Sequence, residues 1–75
     1  MANTLADCHP GTSVVIKGFE GDVSWYQRLF EMGILSGTSV LVIGRAPMGD
    51  PLHIEVRGTR LTLRLADAKR ILISL

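Results

Sequence analysis

Two apolar segments separated by a Gly-Thr pair constrain this chain more than any other feature of its sequence. Residues 52–57 (LHIEVR) and 60–65 (RLTLRL) alternate apolar and polar side chains, with Gly58-Thr59 between them. Alternation is typical of a strand with one buried face, and a two-residue connection that begins with glycine favours a type II′ β-hairpin. Six aliphatic side chains would then share the face toward the core: Leu52, Ile54, Val56, Leu61, Leu63 and Leu65.

The same hairpin places basic side chains on its solvent face. With glycine at the first turn position, Arg57 faces Arg60 and His53 faces Arg64. A like-charge pair directly opposite destabilises a hairpin unless an acidic group compensates, and Glu55 is the diagonal neighbour of the pair. The arginine face is therefore interpreted as a solvated surface, with contact to an acidic partner as the alternative.

Three further segments are predicted to be strands. Ser13–Phe19 is rich in β-branched residues, with Gly18 marking a bend, and Thr38–Arg45 is apolar on both faces, which favours a central position. Ile71–Leu75 follows a one-turn helical connector at Ala66–Arg70. Because five short strands can bury one apolar face by curling, the sequence predicts a mainly β fold, a small SH3-like five-stranded barrel.

One short α-helix is predicted between the first two strands. Ser24 and Gln27 match a capping box and Gly33 is a helix terminator, so the predicted helix spans Trp25–Met32. Its apolar side chains exceed what burial of one face requires: Trp25, Tyr26, Leu29, Phe30 and Met32. The surplus aromatic residues indicate either packing at the barrel rim or a partner surface.

The segment before the hairpin is predicted to be a rigid loop. It reads APMGDP over Ala46–Pro51. Pro47 and Pro51 lack backbone amides, and Gly49 and Asp50 favour turns, so a strand is excluded here.

Composition limits what the chain can be. With 75 residues, 47% hydrophobic residues and a net charge of +1, one folded domain over residues 1–75 is expected, and disorder or a multidomain enzyme is not. The longest aliphatic run, Val40–Ile43, is far shorter than the roughly 20 residues that cross a bilayer, and no signal peptide pattern is visible. The single cysteine, Cys8, favours a reducing compartment, so a cytoplasmic protein is expected.

No pattern in the sequence predicts catalysis, a cofactor or a metal site. His9 and His53 lack the serine or carboxylate partners of a catalytic group. The turn Asp7–His9 cannot point three ligands at one ion, and Arg64 opposite His53 would repel a cation from a site shared with Glu55. Nucleic-acid binding is disfavoured because the net charge is small and no aromatic residue neighbours the hairpin arginines.

Several short motifs follow one another along nearly the whole chain. They are Pro10-Gly11, Gly18-Phe19, Arg28-Leu29, Met32-Gly33-Ile34, Gly37, the Ala46–Pro51 loop with His53-Ile54, and Leu63-Arg64 with Ala66. In this order and spacing the chain resembles the FeoA family of small proteins that accompany bacterial ferrous iron uptake.

The resemblance implies an SH3-like barrel in the cytosol that acts as a non-enzymatic accessory of FeoB, a membrane permease with a cytosolic GTP-binding domain. Contact with that partner is expected at the helix and the loop: Trp25, Tyr26, Arg28, Met32, Pro47, Met48, Gly49, Asp50 and Pro51. An iron-sensing or small-ligand-binding domain is the alternative, with ligands from His53, Glu55 or the Asp7–His9 turn. Direct membrane insertion is not expected, and weak self-association through the last strand is left open.

Overall fold

The computed structural model describes residues 3–74. Five antiparallel strands form one sheet, in the order β4-β3-β2-β1-β5. The strands are β1 (Ser13–Phe19), β2 (Ser39–Arg45), β3 (Leu52–Val56), β4 (Thr59–Leu63) and β5 (Ile71–Ser74). Helix α1 (Val23–Glu31) joins β1 to β2, and α2 (Leu65–Ala68) joins β4 to β5. The mainly β architecture and the central position of β2 are therefore as predicted.

The core takes alternate residues from every strand, because successive side chains of a strand point to opposite faces. Each buried Val, Leu or Ile contributes roughly 1.5–3 kcal/mol of gross hydrophobic stabilisation. The buried strand residues are Val14, Ile16, Val40, Val42, Leu52, Ile54, Val56, Leu63, Ile71 and Ile73. The hairpin thus contributes four of its six predicted aliphatic residues as buried side chains, and Leu61 and Leu65 are half-buried.

The sheet curls at two points where the pairing register shifts. The β1–β5 register shifts between Ile16 and Gly18, and the β2–β3 register shifts between Val42 and Gly44. An extra residue on one strand bends that strand and increases its twist. The bend predicted at Gly18 is confirmed.

The turn of the hairpin differs from the predicted one. Val56 pairs with Thr59, so the two turn residues are Arg57 and Gly58. Their φ angles of 52° and 81° are the two positive values that a type I′ turn requires. The predicted type II′ turn and the predicted Arg57–Arg60 pair are wrong, because positive φ was expected only of the glycine.

The corrected register pairs opposite charges on the solvent face. Glu55 lies opposite Arg60, with Oε1 and Nε 3.9 Å apart, and His53 lies opposite Thr62. The predicted pairing of His53 with Arg64 is wrong. Because the pairing slips by two residues, which is the side-chain period of a strand, the aliphatic residues keep their face toward the core.

Helix α1 begins two residues earlier than predicted, at Val23, because Asp22 caps it. The Asp22 Oδ1 atom accepts hydrogen bonds from the Trp25 amide at 2.9 Å and from the Ser24 hydroxyl at 3.0 Å. These hydrogen bonds, chiefly that from the Trp25 amide, hold the pKa of Asp22 below its ordinary value. The predicted capping box of Ser24 and Gln27 is wrong, since Ser24 lies inside the helix.

Helix α1 ends at Glu31, one residue before the predicted Met32, and Gly33 terminates it as predicted. Gly33 has a φ of 86°. Its amide donates to the Phe30 carbonyl at 3.0 Å, and the Ile34 amide donates to the Leu29 carbonyl at 2.9 Å. These two bonds form a Schellman motif, which satisfies carbonyl groups that a helix end leaves free.

The amino-terminal segment contains a 3₁₀ turn over Leu5–Asp7 that was not predicted. Its first residue is fully buried. Next to it, Thr4 forms a β-bridge with Leu72, and the Ile73 amide donates to the Asn3 carbonyl at 3.1 Å. This segment therefore covers the outer edge of β5.

The boundary between β4 and α2 also differs from the predicted one. Leu65 begins α2 instead of ending a strand, so the connector starts one residue before the predicted Ala66. The predicted end of the last strand, Leu75, lies outside the described residues. Within residues 3–74, no helix has the length and apolar character needed to cross a membrane.

Candidate functional site

A groove of about 740 Å³ separates helix α1 from the end of strand β4. Its longer walls are Arg28, Leu29 and Met32 on α1, and Thr62, Leu63 and Arg64 at β4. The loop between β2 and β3 and helix α2 also contribute to the lining, through Asp50, Pro51 and Asp67. The structure thus brings the predicted contact helix and the predicted contact loop to one groove.

Hydrogen bonds fix the shape of that loop. The Ala46 amide donates to the Pro51 carbonyl at 3.0 Å, and the Gly49 amide donates to the Ala46 carbonyl at 2.7 Å. The Asp50 Oδ1 atom accepts from the Leu65 amide at 2.9 Å, which ties the loop to the start of α2. Because the loop is ordered before any partner arrives, binding through it has a low entropic cost.

Trp25 lies behind the groove and offers almost no surface to a partner, since only 8% of it is exposed. Its Nε1 donates to Asp67 Oδ1 at 2.8 Å, and the Arg70 guanidinium lies 5.3 Å from the ring centroid. These contacts tie α1 to α2. Trp25 is predicted to be a contact residue, but in the structure it is buried and packs the helix wall against α2.

Tyr26 belongs to an aromatic cluster on another face of α1. Its ring stacks on Phe30 with centroids 5.3 Å apart, and Phe19 packs against both rings at 5.9 and 5.6 Å. None of the three lines the groove. The aromatic surplus of α1 is therefore used mainly for packing, although Phe30 remains 41% exposed.

The tip of the loop projects beyond the groove. Pro47 and Met48 are exposed, and Met48, at 92%, is far more exposed than any other large hydrophobic residue in the described chain. Gly49 follows with a φ of 85°. Four of the nine predicted contact residues thus line the groove: Arg28, Met32, Asp50 and Pro51.

The charged groups of the groove differ in whether they already have partners. Asp50 accepts a hydrogen bond from the Leu65 amide of α2, and Asp67 accepts one from the Trp25 indole of α1. The side chains of Arg28 and Arg64 have neither a hydrogen-bond acceptor nor an ion-pair partner within residues 3–74. The groove therefore combines two unpaired guanidinium groups with accessible apolar surface from Met32 and Pro51, since Leu29 and Leu63 are buried.

The β4 wall is the part of the groove that the sequence did not indicate. Alternation places Thr62 on the solvent face and Leu63 on the core face, but it does not show that α1 lies beside them. That placement depends on contacts such as the one between Trp25 and Asp67, which are 42 residues apart in sequence. A local pattern contains no signal for such a pair.

The amino-terminal turn considered as an alternative ligand source has a structural role. Asp7 Oδ2 accepts from the amides of Asn3 at 3.2 Å and Thr4 at 3.1 Å, which lowers the pKa of Asp7. The Cys8 thiol is buried, and burial raises its pKa. Among the described residues, no three His, Cys, Asp or Glu side chains come together as a metal-binding group.

Comparison with protein families and curated sequences shows what this chain is similar to. The FeoA domain family matches residues 3–75. A Fe(2+) transport protein A/Fe(2+) transporter FeoB fusion protein of Porphyromonas gingivalis (strain ATCC BAA-308 / W83) is 32% identical over 71 residues. That match covers 95% of this chain but 8% of the fusion protein, so the chain spans only a small part of that relative.

Two solved structures share the fold along nearly their whole length. The NMR structure of a FeoA-like protein from Clostridium acetobutylicum matches with a TM-score of 0.87 and 32% identity, covering 100% of this chain and 90% of the other. The crystal structure of zinc-complexed FeoA from Stenotrophomonas maltophilia, described as a prokaryotic SH3 domain protein, matches with a TM-score of 0.81 and 31% identity. It covers 97% of this chain and 91% of the other, and the SH3-like prediction is confirmed.

Proposed function

This chain belongs to the FeoA family, and from that premise we propose that it is a non-enzymatic accessory protein of bacterial ferrous iron uptake. It acts in the cytoplasm as an interaction module on the GTP-binding part of a FeoB-like membrane permease. The observation that carries the proposal is the fusion relative, in which transport protein A and FeoB form one polypeptide. Fusion in one polypeptide gives two domains a high effective concentration for each other, which favours contact between them.

The groove between α1 and β4 is the surface proposed for this contact. Protein interfaces commonly combine an apolar centre with a polar rim, and here Met32 and Pro51 lie beside the unpaired Arg28 and Arg64. Met32 is 39% exposed, so part of this apolar surface is accessible without any rearrangement. The ordered loop adds Met48, whose flexible thioether side chain adapts readily to a partner surface.

A binding role is also supported by the chemistry of the groove. Its titratable groups are two arginines and two aspartates, and both aspartates already accept hydrogen bonds from residues of the two helices. Nucleophilic catalysis requires a nucleophile activated by an adjacent base or by a lowered pKa. We therefore assign the GTP chemistry and the iron chemistry to the partner.

An NMR titration of this chain with the cytosolic GTP-binding part of a FeoB-like permease tests the proposal. Amide shifts are expected at Arg28, Met32 and Asp50, which line the groove. Shifts confined to β1 and β5 would contradict the assigned surface. If no amide shifts even with the GTP-binding part in large excess, direct contact is contradicted.

A loop variant and a helix variant separate contact from folding. Met48→Asp places a charge on a side chain that is 92% exposed, so the fold is unaffected and the complex is expected to weaken by about tenfold or more. Val23→Asp is the matched control, because Val23 is 54% exposed and lies outside the groove. Equal affinities for the two variants would exclude the loop from the contact.

A further inference from the structure

Strand β4 is an open edge of the sheet, whereas the other edge is covered. At β5, Thr4 forms a bridge with Leu72 and the Ile73 amide donates to Asn3. Within the part of the chain that the structure describes, β4 pairs with β3 alone. An open edge presents backbone N–H and C=O groups on which a further strand can form.

The turn determines which backbone groups of β4 are available. Residues that flank a two-residue turn, here Val56 and Thr59, exchange both of their hydrogen bonds, and bonding alternates from there along the hairpin. The N–H and C=O groups of Arg60 and Thr62 therefore point away from β3. Neither has another backbone partner among residues 3–74.

This open edge borders the groove. Thr62 lines the groove shared with α1, and it also lines a second depression of about 570 Å³ together with Arg60 and Leu61. The edge is therefore accessible along its length, with a helix on the far side of the groove. An extended peptide that adds to such an edge gains affinity from main-chain hydrogen bonds and specificity from alternate side chains.

We propose that β4 accepts an extended segment of the partner protein as a sixth strand, in which acidic and apolar residues alternate. The inference rests on the proposed function, since it takes the α1–β4 groove as the contact surface. Apolar side chains of the added strand pack against Met32 and the half-buried Leu61, which line the depression beside this edge. Its acidic side chains alternate with the apolar ones and lie beside Arg60 and Arg64, which are four residues apart and project to the same side of the extended chain.

Charge selects an acidic strand over a second copy of this chain. Pairing of two β4 strands would bring Arg60 and Arg64 of one copy close to the same residues of the other, and like charges across strands are destabilising. The one ion pair at this edge, Arg60 with Glu55, is 3.9 Å long and the Arg60 side chain is 79% exposed. Such a pair is weak, so Arg60 can exchange Glu55 for a carboxylate of the partner.

Synthetic peptides test the inference on the free chain. The acetylated hexapeptide Glu-Val-Glu-Val-Glu-Val is expected to bind, and its Lys-Val counterpart to bind at least about tenfold more weakly. Hydrogen exchange measured by NMR is expected to slow by about tenfold or more at the Arg60 and Thr62 amides, which the added strand would cover. Equal binding of both peptides, or a complex in which these two amides stay unprotected, overturns the inference.

Two changes remove the backbone contacts without removing charge. Thr62→Pro deletes an amide that β3 does not use, and prolines are tolerated on edge strands, so Glu-Val binding is expected to fall about tenfold or more. Thr62→Val keeps that amide and is expected to bind as the parent does. Methylating the peptide amides that face β4 gives the same loss without altering the protein, and unchanged affinity of the methylated peptide contradicts strand addition.

Strand addition to β4 and contact with the permease can be contradicted independently of each other. If the GTP-binding part shifts the groove amides but the Glu-Val peptide does not bind, strand addition is wrong and the groove contact stands, with the edge arginines serving only to prevent pairing between copies. If the peptide binds and protects Arg60 and Thr62 but the GTP-binding part does not bind, strand addition holds and the proposed permease contact is wrong.

Discussion

At the scale of single residues, Asp22 and Ser24 show where the sequence is ambiguous. Both residue types are good helix caps, and Gln27, three residues after Ser24, completes the sequence pattern of a capping box. The carboxylate of Asp22 prevails in the structure because one of its oxygens accepts both the Trp25 amide and the Ser24 hydroxyl. Its negative charge also interacts favourably with the helix dipole.

Asp22→Ala is therefore expected to lower the melting temperature more than Ser24→Ala does. The effect depends on pH, because the pKa of Asp22 is lowered in the folded protein. The ionised carboxylate stabilises the fold fully above its unfolded pKa of about 3.9, and that contribution is lost as pH falls through the lowered folded value. The melting temperatures of the parent and of Asp22→Ala should therefore converge as pH falls from neutral to strongly acidic. A difference that stays constant with pH would contradict the capping role.

Gly21 is required for a reason that no local pattern reveals. A Cβ atom at this position would clash with ring carbons of Trp25, which would lie closer to it than van der Waals contact allows. The ring cannot move aside freely because Asp67 and Arg70 hold it. Gly21→Ala is expected to reduce the free energy of unfolding by about 1–3 kcal/mol in urea denaturation.

Gly44→Ala is the matched control for this substitution. A Cβ atom on Gly44 would have no neighbour within 4 Å. Its free energy of unfolding is expected to stay within about 0.5 kcal/mol of the parent value. If both substitutions destabilised the protein equally, loss of glycine flexibility and not the Trp25 ring would be the cause.

At the scale of elements, the hairpin separates what alternation determines from what it does not. The faces of β3 and β4 follow from the side-chain period of two, and they are as predicted. The register depends on the turn, and the sequence favoured Gly58 in the first turn position because arginine is uncommon at positive φ. Arg57 nevertheless adopts a φ of 52° there.

Arg57→Asn is expected to stabilise the hairpin. Asparagine tolerates the left-handed conformation better than arginine and is preferred before glycine in type I′ turns, so the free energy of unfolding should rise by about 0.5–1 kcal/mol. In the register predicted from the sequence, residue 57 would lie in a strand, where asparagine is unfavourable. Urea denaturation distinguishes the two, and destabilisation by Arg57→Asn would contradict the observed turn. Arg60→Asn, within β4, is the control and is expected to be slightly destabilising.

At the scale of the whole molecule, the strands were predictable and the position of α1 was not. Apolar alternation, glycine at bends and proline at the loop determine which segments form strands and that the sheet must curl. The groove requires in addition that α1 pack on α2 through Trp25 and Asp67. This explains why Arg28, Met32, Asp50 and Pro51 could be proposed from the sequence, whereas the position of Thr62 and Arg64 beside them could not.

Partner binding should also stabilise the whole domain. A ligand present at about one hundred times its Kd adds roughly 2.7 kcal/mol to the free energy of unfolding. In a domain of this size that corresponds to a rise in melting temperature of about 10 °C or more. Differential scanning fluorimetry with the cytosolic GTP-binding part checks this, and an unchanged melting temperature at saturating partner would argue against binding to the folded barrel.

Calorimetry of two matched variants tests whether this chain contacts its partner through the α1–β4 groove. Met32, in the groove, and Val15, on β1 outside it, have similar exposures of 39% and 41%. Met32→Asp is expected to weaken binding of the GTP-binding part by about tenfold or more, and Val15→Asp by less than about twofold. Equal affinities of these two folded variants would contradict the account.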